Sequence, residues 1–202
     1  MSIQQGQTAL ASDMNTIIPI GVPLPFFGSA TYLPTDHLIL NGNTIGDGSS
    51  GATARADPDT EILFTLLWNS IANTELVIQT SAGSPTTRGA SASADFAAHK
   101  RMPLPDMRGY TVGGYKSGVT NFGTLGKAVG EATHTLTIAE LPSHHHDEAG
   151  YNMSGSGGGQ WGGTGRNFGN PTTTGDTGSG TAHNTIQPTM TVNWIIRYKS
   201  YA

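Results

Sequence analysis

The sequence predicts a mainly β chain with one or two short helices, and three observations carry that expectation. First, 28 glycines and 11 prolines punctuate 202 residues that are also rich in Ser and Thr, a composition that favours turns and short strands over long helices. Second, the C-terminal stretch alternates with period two, setting Met190, Val192, Trp194, Ile196 and Tyr198 against Thr191, Asn193, Ile195 and Arg197, so a strand with one apolar and one mostly polar face is expected. Third, a convincing helical period appears after a glycine-rich loop at Asp57 and is matched elsewhere only by a short alanine-rich run. Hydrophobic residues make up only 36% of the chain, so a monomer is thinly cored. A symmetric oligomer, whose interface serves as core, is the expected remedy.

In chain order, residues 1–16 are polar and small, and are read as an attachment arm. From Ile17 to Gly42 the prolines at 19, 23, 25 and 34 forbid a helix and confine any strand to a sheet edge or end. Asp57 is the expected N-cap of the main helix, with Pro58 at its first position and Asp59 and Glu61 in its first turn. Phe64, Leu67, Trp68 and Ile71 then fall at i, i+3, i+4 and i+7 and should face the core. A second helix is predicted over Ala90–His99, ending before Met102-Pro103-Leu104-Pro105. Thr137-Ile138-Ala139-Glu140 fits a capping box for one helical turn that Pro142 stops from extending, which delivers the chain into His144-His145-His146. Between Gly150 and Gly180 there are twelve glycines and two charged residues, Arg166 and Asp176; such a segment is read as a long loop or supported arm.

Charge and composition exclude several functions. A net charge of -4 with ten Lys plus Arg gives no footprint for nucleic acid or an anionic membrane surface. The absence of cysteine leaves His, carboxylate and backbone oxygen as the available metal ligands. No stretch approaches the length of a membrane helix and the N-terminus lacks signal-peptide regions, so a protein made in a cytoplasm without Sec export, and not membrane-embedded, is expected.

Four strings taken together resemble the phage tail collar family, which includes short tail fibres of contractile-tailed phages. They are Gly21-Val22-Pro23-Leu24-Pro25-Phe26-Phe27-Gly28-Ser29 leading to Leu38-Ile39-Leu40-Asn41-Gly42; Ala92 to Lys100 followed by Leu104-Pro105-Asp106-Met107-Arg108-Gly109; Gly130 to Thr137 continuing through Leu141 to His146; and Asn184 to Met190 continuing to Asn193-Trp194-Ile195-Ile196-Arg197. The Leu-Pro-Asp-x-Arg-Gly string is the most recognisable of them, whereas Leu40-Asn41-Gly42 departs from the Cys-Asp-Gly common in the family. The resemblance covers roughly residues 17 to 202. It implies an elongated, intertwined homotrimer with an irregular glycine-rich tip, organised as an arm (1–16), a collar domain (17–130) and a histidine-bearing tip closed by the last strand (131–202).

In an extended chain after Pro142, His144 and His146 share a face and His145 points away. Three chains around a threefold axis would then supply six imidazoles, an octahedral set that suits iron or another first-row ion better than tetrahedral zinc. The family places His-x-His pairs on such an axis, and the resemblance carries that role onto His144 and His146, with one iron or zinc ion per trimer. Trp161, Arg166, Asn167 and Phe168 are candidate receptor contacts, because aromatics on a polar loop have little core to join and stack well on ligands. Host surface polysaccharide or an outer-membrane receptor is the implied target, and a baseplate or fibre-shaft protein the implied dock for residues 1–16.

The bland alternative for each residue is also explicit. The three histidines are read in isolation as solvated, His134 and His183 as surface or hydrogen-bonded, His37 and His99 as without function, Asp106 and Arg108 as a pair holding a turn, and Trp68 and Trp194 as core. A rival function is a metal-dependent hydrolase acting on surface polysaccharide, with His144, His146 and a third histidine such as His183 on zinc and Glu148 activating water. A purely structural baseplate protein is the third reading.

Overall fold

The computed structural model describes residues 18–143 and 179–200. The chain divides into two compact units, Met1–Val129 with Met190–Ala202, and Gly130–Thr189. The architecture is mainly small β-sheets with one substantial helix, as the composition predicts.

The first unit holds two three-stranded sheets. Strands β1 (Pro23–Phe26), β2 (His37–Ile39) and β8 (Asn193–Arg197) form one in the order β1-β8-β2, antiparallel throughout, with Leu24 opposite Ile195 and Leu38 opposite Ile196. Pro23 and Pro25 lie on an edge strand, where their missing N–H groups interrupt no ladder on the open side. Strands β3 (Thr44–Gly46), β4 (Arg55–Ala56) and β5 (Met102–Pro103) form the other in the order β4-β3-β5, parallel to β4 and antiparallel to β5. The closing strand β8 is the centre of the first sheet. Its second face differs from expectation. Ile195 and Arg197 are buried along with Ile196 and Tyr198. A buried arginine is tolerable here because Asp36 lies 3.4 Å from Arg197 Nε and the Ile18 carbonyl accepts from Nη1 at 2.5 Å.

Helix α1 (Glu61–Ser70) grows out of a 3-10 turn at Pro58–Thr60, whose N-cap Asp57 accepts from Asp59 N at 3.0 Å. Thr60 Oγ1 donates to Gly46 O at 3.1 Å and Asp57 N to the same carbonyl at 2.9 Å, fixing the helix start to β3. Phe64, Leu67 and Ile71 are buried as the spacing predicts, and Leu63 joins them. Trp68 and Trp194 are partly buried against this core. Helix α2 is shorter than expected, spanning Ala92–Ala97 with Ser91 Oγ capping Ala94 N at 3.1 Å. It ends early because His99 adopts φ +59, with His99 N donating to Phe96 O and Lys100 N to Asp95 O, a left-handed Schellman stop without glycine. Phe64 and Phe96 meet edge to face at 5.1 Å and 77°, tying the two helices.

Segments distant in sequence converge at one point of this unit. Leu104 N donates to Asn43 O at 2.8 Å, Met107 N to Leu40 O at 3.1 Å, and Leu40 N to Trp194 O at 2.8 Å, while Asn41 bridges Asp106. Leu40-Asn41-Gly42, Leu104 to Arg108 and the last strand thus form one knot of backbone. Gly42 stands at φ +82 beside the Asp106 side chain, a conformation that glycine adopts without strain.

The second unit contributes one antiparallel pair among its described residues, β6 (Thr133–His134) with β7 (His183–Asn184).

Candidate functional site

The described residues include both approaches to the histidine segment. His134 stands opposite His183 in the β6–β7 register, and Thr185 extends the link by donating its N–H to Ala132 O at 3.0 Å and its hydroxyl to Glu131 O at 2.6 Å. Chain positions 134 and 183 are therefore clamped together, and everything between them departs from and returns to one base. Beyond β6, the Thr137 N–H and hydroxyl donate to Glu140 Oε2 at 2.7 and 2.8 Å, closing the single 3-10 turn at Ile138–Glu140 that the capping-box pattern predicts. Leu141 is already extended (φ -79, ψ 136), as a residue before proline must be. The turn is therefore over before the chain reaches Pro142.

His134 is the electrostatic centre of this base. Its Nδ1 meets Glu131 Oε1, and its Nε2 lies 3.0 Å from Glu140 Oε2. Ionised carboxylates only accept, so a carboxylate on each side of the ring favours the imidazolium, the form that donates from both nitrogens. Hydrogen bonds to Glu140 and then Glu131 accordingly raise its pKa above the ordinary histidine value. Glu140 is pulled down to about 2, first by the Thr137 N–H, then by the Thr137 hydroxyl and His134. The His183 ring stands edge-on to His134 at 5.9 Å and 88°.

With a carboxylate facing each ring nitrogen, His134 is held in this base by hydrogen bonds on both sides. Among the described residues no group of three or more His, Asp or Glu side chains is arranged to hold a metal ion. The candidate ligands His144 and His146 lie outside the described residues, as do Trp161, Arg166, Asn167 and Phe168 and the arm at 1–16.

No family model, curated protein or solved structure matches the chain. Its reading therefore rests on the residues themselves. Asp106 and Arg108 form the turn-holding pair expected of them, with Arg108 Nε and Nη2 donating to the two carboxylate oxygens at 2.8 and 2.6 Å and Arg108 N to Oδ1 at 3.1 Å. That fork leaves the guanidinium engaged within its own turn, and it holds the Asp106 carboxyl below its ordinary range.

Three polar clusters escape the sequence reading. The Glu131–His134–Glu140 bridge had a legible cue, since an acid three residues before a histidine and another six after it flank a turn. His37 gave none: it is buried, with Nδ1 2.7 Å from Asp36 Oδ1, beside Arg197 in the sheet. His99, whose Nδ1 lies 2.5 Å from Asp47 Oδ2, occupies a left-handed position usually filled by glycine or asparagine, which no periodicity announces.

Proposed function

We propose that this chain is the trimeric tail-fibre or tail-tip adhesin of a phage or phage-like particle. In this reading it is made in the host cytoplasm, docks through residues 1–16 onto a baseplate or fibre shaft, and binds host-surface polysaccharide or an outer-membrane receptor. His144 and His146 from three chains hold one iron or zinc ion, and Trp161, Arg166, Asn167 and Phe168 contact the receptor. The proposal rests on the resemblance of the four strings to the tail collar family, and three of those strings meet in the backbone knot at Leu40, Met107 and Trp194.

The observation that carries the trimer is the exposure of large apolar side chains. Between Pro105 and Trp194 no described residue is buried, yet this stretch presents Tyr110, Val112, Tyr115, Phe122 and Leu125 in the first unit and Leu136, Ile138, Leu141 and Ile186 in the second. Ile138 is 91% exposed. Side chains of this size at this density want an apolar partner, and copies of the same chain supply one at no cost in specificity.

Native mass spectrometry with metal analysis tests the reading. Three chains with one ion are expected, and alanine at His144 or His146 should remove the ion. A monomer carrying one ion per chain, with hydrolytic turnover of polysaccharide, would replace the adhesin by the metal-dependent hydrolase. A metal-free trimer that binds no cells would leave the structural baseplate role.

A further inference from the structure

Helix α1 carries apolar side chains on both of its faces. Leu63, Phe64 and Leu67 fill the core, and a helix laid on a core in this way ordinarily turns polar residues outward. Here Ile62 and Leu66, neighbours at i and i+4, stand on the open side, 54% and 36% exposed. Leu66 packs against Gly21, where an added Cβ would lie 2.9 Å from its Cδ1, and the exposed Val22 continues the strip. The one charged residue of the helix is Glu61, on the same open side.

The loop at 109–126 has the complementary character. It presents Tyr110, Val112, Tyr115 and Phe122 to solvent, and its one charged residue is Lys116. It leaves the core at the Asp106–Arg108 fork and returns where Gly126 meets Ile71, at the C-terminal end of α1. In between, Lys116 N donates to Phe122 O at 2.9 Å and Phe122 N to Val119 O at 3.2 Å, so the loop is shaped by its own turns and loses little freedom on docking. Among the described residues no basic side chain pairs with Glu61 and no acidic one with Lys116.

We propose that the 109–126 loop of one copy lies along the open face of α1 of the next, with Tyr115 on Ile62, Val112 on Leu66 and Val22, and Lys116 at Glu61. Each chain then gives one loop and receives one, a heterologous contact that closes into a ring. The opposite charges select the direction of the loop along the helix, which apolar contact alone leaves open. This inference names the receiving surface within the trimer proposed above and rests on that reading.

The test uses the full chain. Native mass spectrometry first establishes the trimer. Unlabelled and heavy-isotope-labelled chains are then refolded together and coupled with a carbodiimide, which should join Lys116 to Glu61 between a light and a heavy peptide. Glu61→Lys and Lys116→Glu, both at exposed positions, each set like charges at every contact and should raise the concentration at which the trimer dissociates by about tenfold. Mixing the two variants sets opposite charges at two of the three contacts of every mixed ring and should recover most of that loss. A wild-type chain that stays monomeric removes the trimer itself. A trimer with no mixed-isotope link, with links only inside one chain, or left unshifted by both single variants keeps the trimer and overturns the placement of the loop on α1.

Discussion

Replacing Asp95 by alanine tests how the helical half of the first unit is held together. The Asp95 side chain is 3% exposed and accepts from Lys100 Nζ at 2.6 Å, Gly89 N at 2.8 Å and Trp68 Nε1 at 2.9 Å. Burial alone raises its pKa, but these donors outweigh desolvation and hold the carboxyl below its ordinary 3.8. Asp95→Ala strands the Gly89 and Trp68 N–H groups, at about 1 kcal/mol or somewhat more each. It also unpairs Lys100, which keeps the Thr87 carbonyl and some water and so adds about 1 kcal/mol. The total is about 3–4 kcal/mol, which for a chain of this length corresponds to about 6–16 °C in melting temperature. Lys100→Met, which removes the ion pair alone, should cost only about 1 kcal/mol. Because the folded pKa is depressed, this stability is present above pH 3.8 and is lost as pH falls through the folded value. Urea unfolding followed by circular dichroism measures both variants, and an Asp95→Ala loss below about 1 kcal/mol refutes the account of Asp95 as the clasp between Trp68, Gly89 and Lys100.

Chelation or mild acid should lower the melting temperature, since a metal-bound imidazole must be neutral and protonation near its ordinary pKa of about 6.5 competes with the ion. An unchanged melt with no metal detected sinks the metal site. The Glu131–His134–Glu140 bridge responds in the opposite sense. His134, with its raised pKa, contributes fully below its ordinary 6.5, and that contribution is lost as pH rises through the folded value. Glu140 contributes above 4.5 and fades as pH falls towards about 2. NMR titration should find His134 titrating above 6.5 and shifting down in Glu140→Gln; a value at or below 6.5 contradicts the double bridge. His99→Gly should relieve about 1–2 kcal/mol of left-handed strain. It forfeits a half-exposed Asp47 contact worth under about 1 kcal/mol, so it should raise stability slightly while His99→Val lowers it; the reverse order of urea midpoints would reject strain at this position.

Local chemistry was readable where it is decided locally. The Asp57-Pro58 start of α1, its buried positions Phe64, Leu67 and Ile71, the edge placement of the Pro23–Phe26 strand, the capped turn at Ile138–Glu140 and the Asp106–Arg108 fork all follow from residues within a few positions of one another. Contacts across the chain were not readable. Arg197 looked like the solvent side of an alternating strand, and only Asp36 and the Ile18 carbonyl, both far away in sequence, make its burial possible. Helix α2 stops early for a similar reason. The φ +59 of His99 is supported by its contact with Asp47, and neither residue signals the other in the sequence. The candidate metal ligands are short in sequence and legible as a motif, but their proposed completion needs three chains, which no single-chain pattern contains.

The exposed apolar residues also bear on what a metal would do. Fully burying a large exposed side chain contributes about 1.5–3 kcal/mol; Tyr110, Tyr115, Phe122 and Leu125 are about half exposed and Ile138 almost wholly so, and covering these five offers about 4–9 kcal/mol per chain, within the range of the cost of association. Apolar contact of that size can hold three chains together without an ion. It cannot set their register, because hydrophobic burial has no direction and tolerates slippage. Coordination has both direction and stoichiometry. In the proposed trimer, a shared ion at His144 and His146 would therefore act chiefly on alignment. On this division of labour, chelation lowers the melting temperature of a trimer that still migrates as a trimer, whereas a chain held only by its metal would fall to monomers.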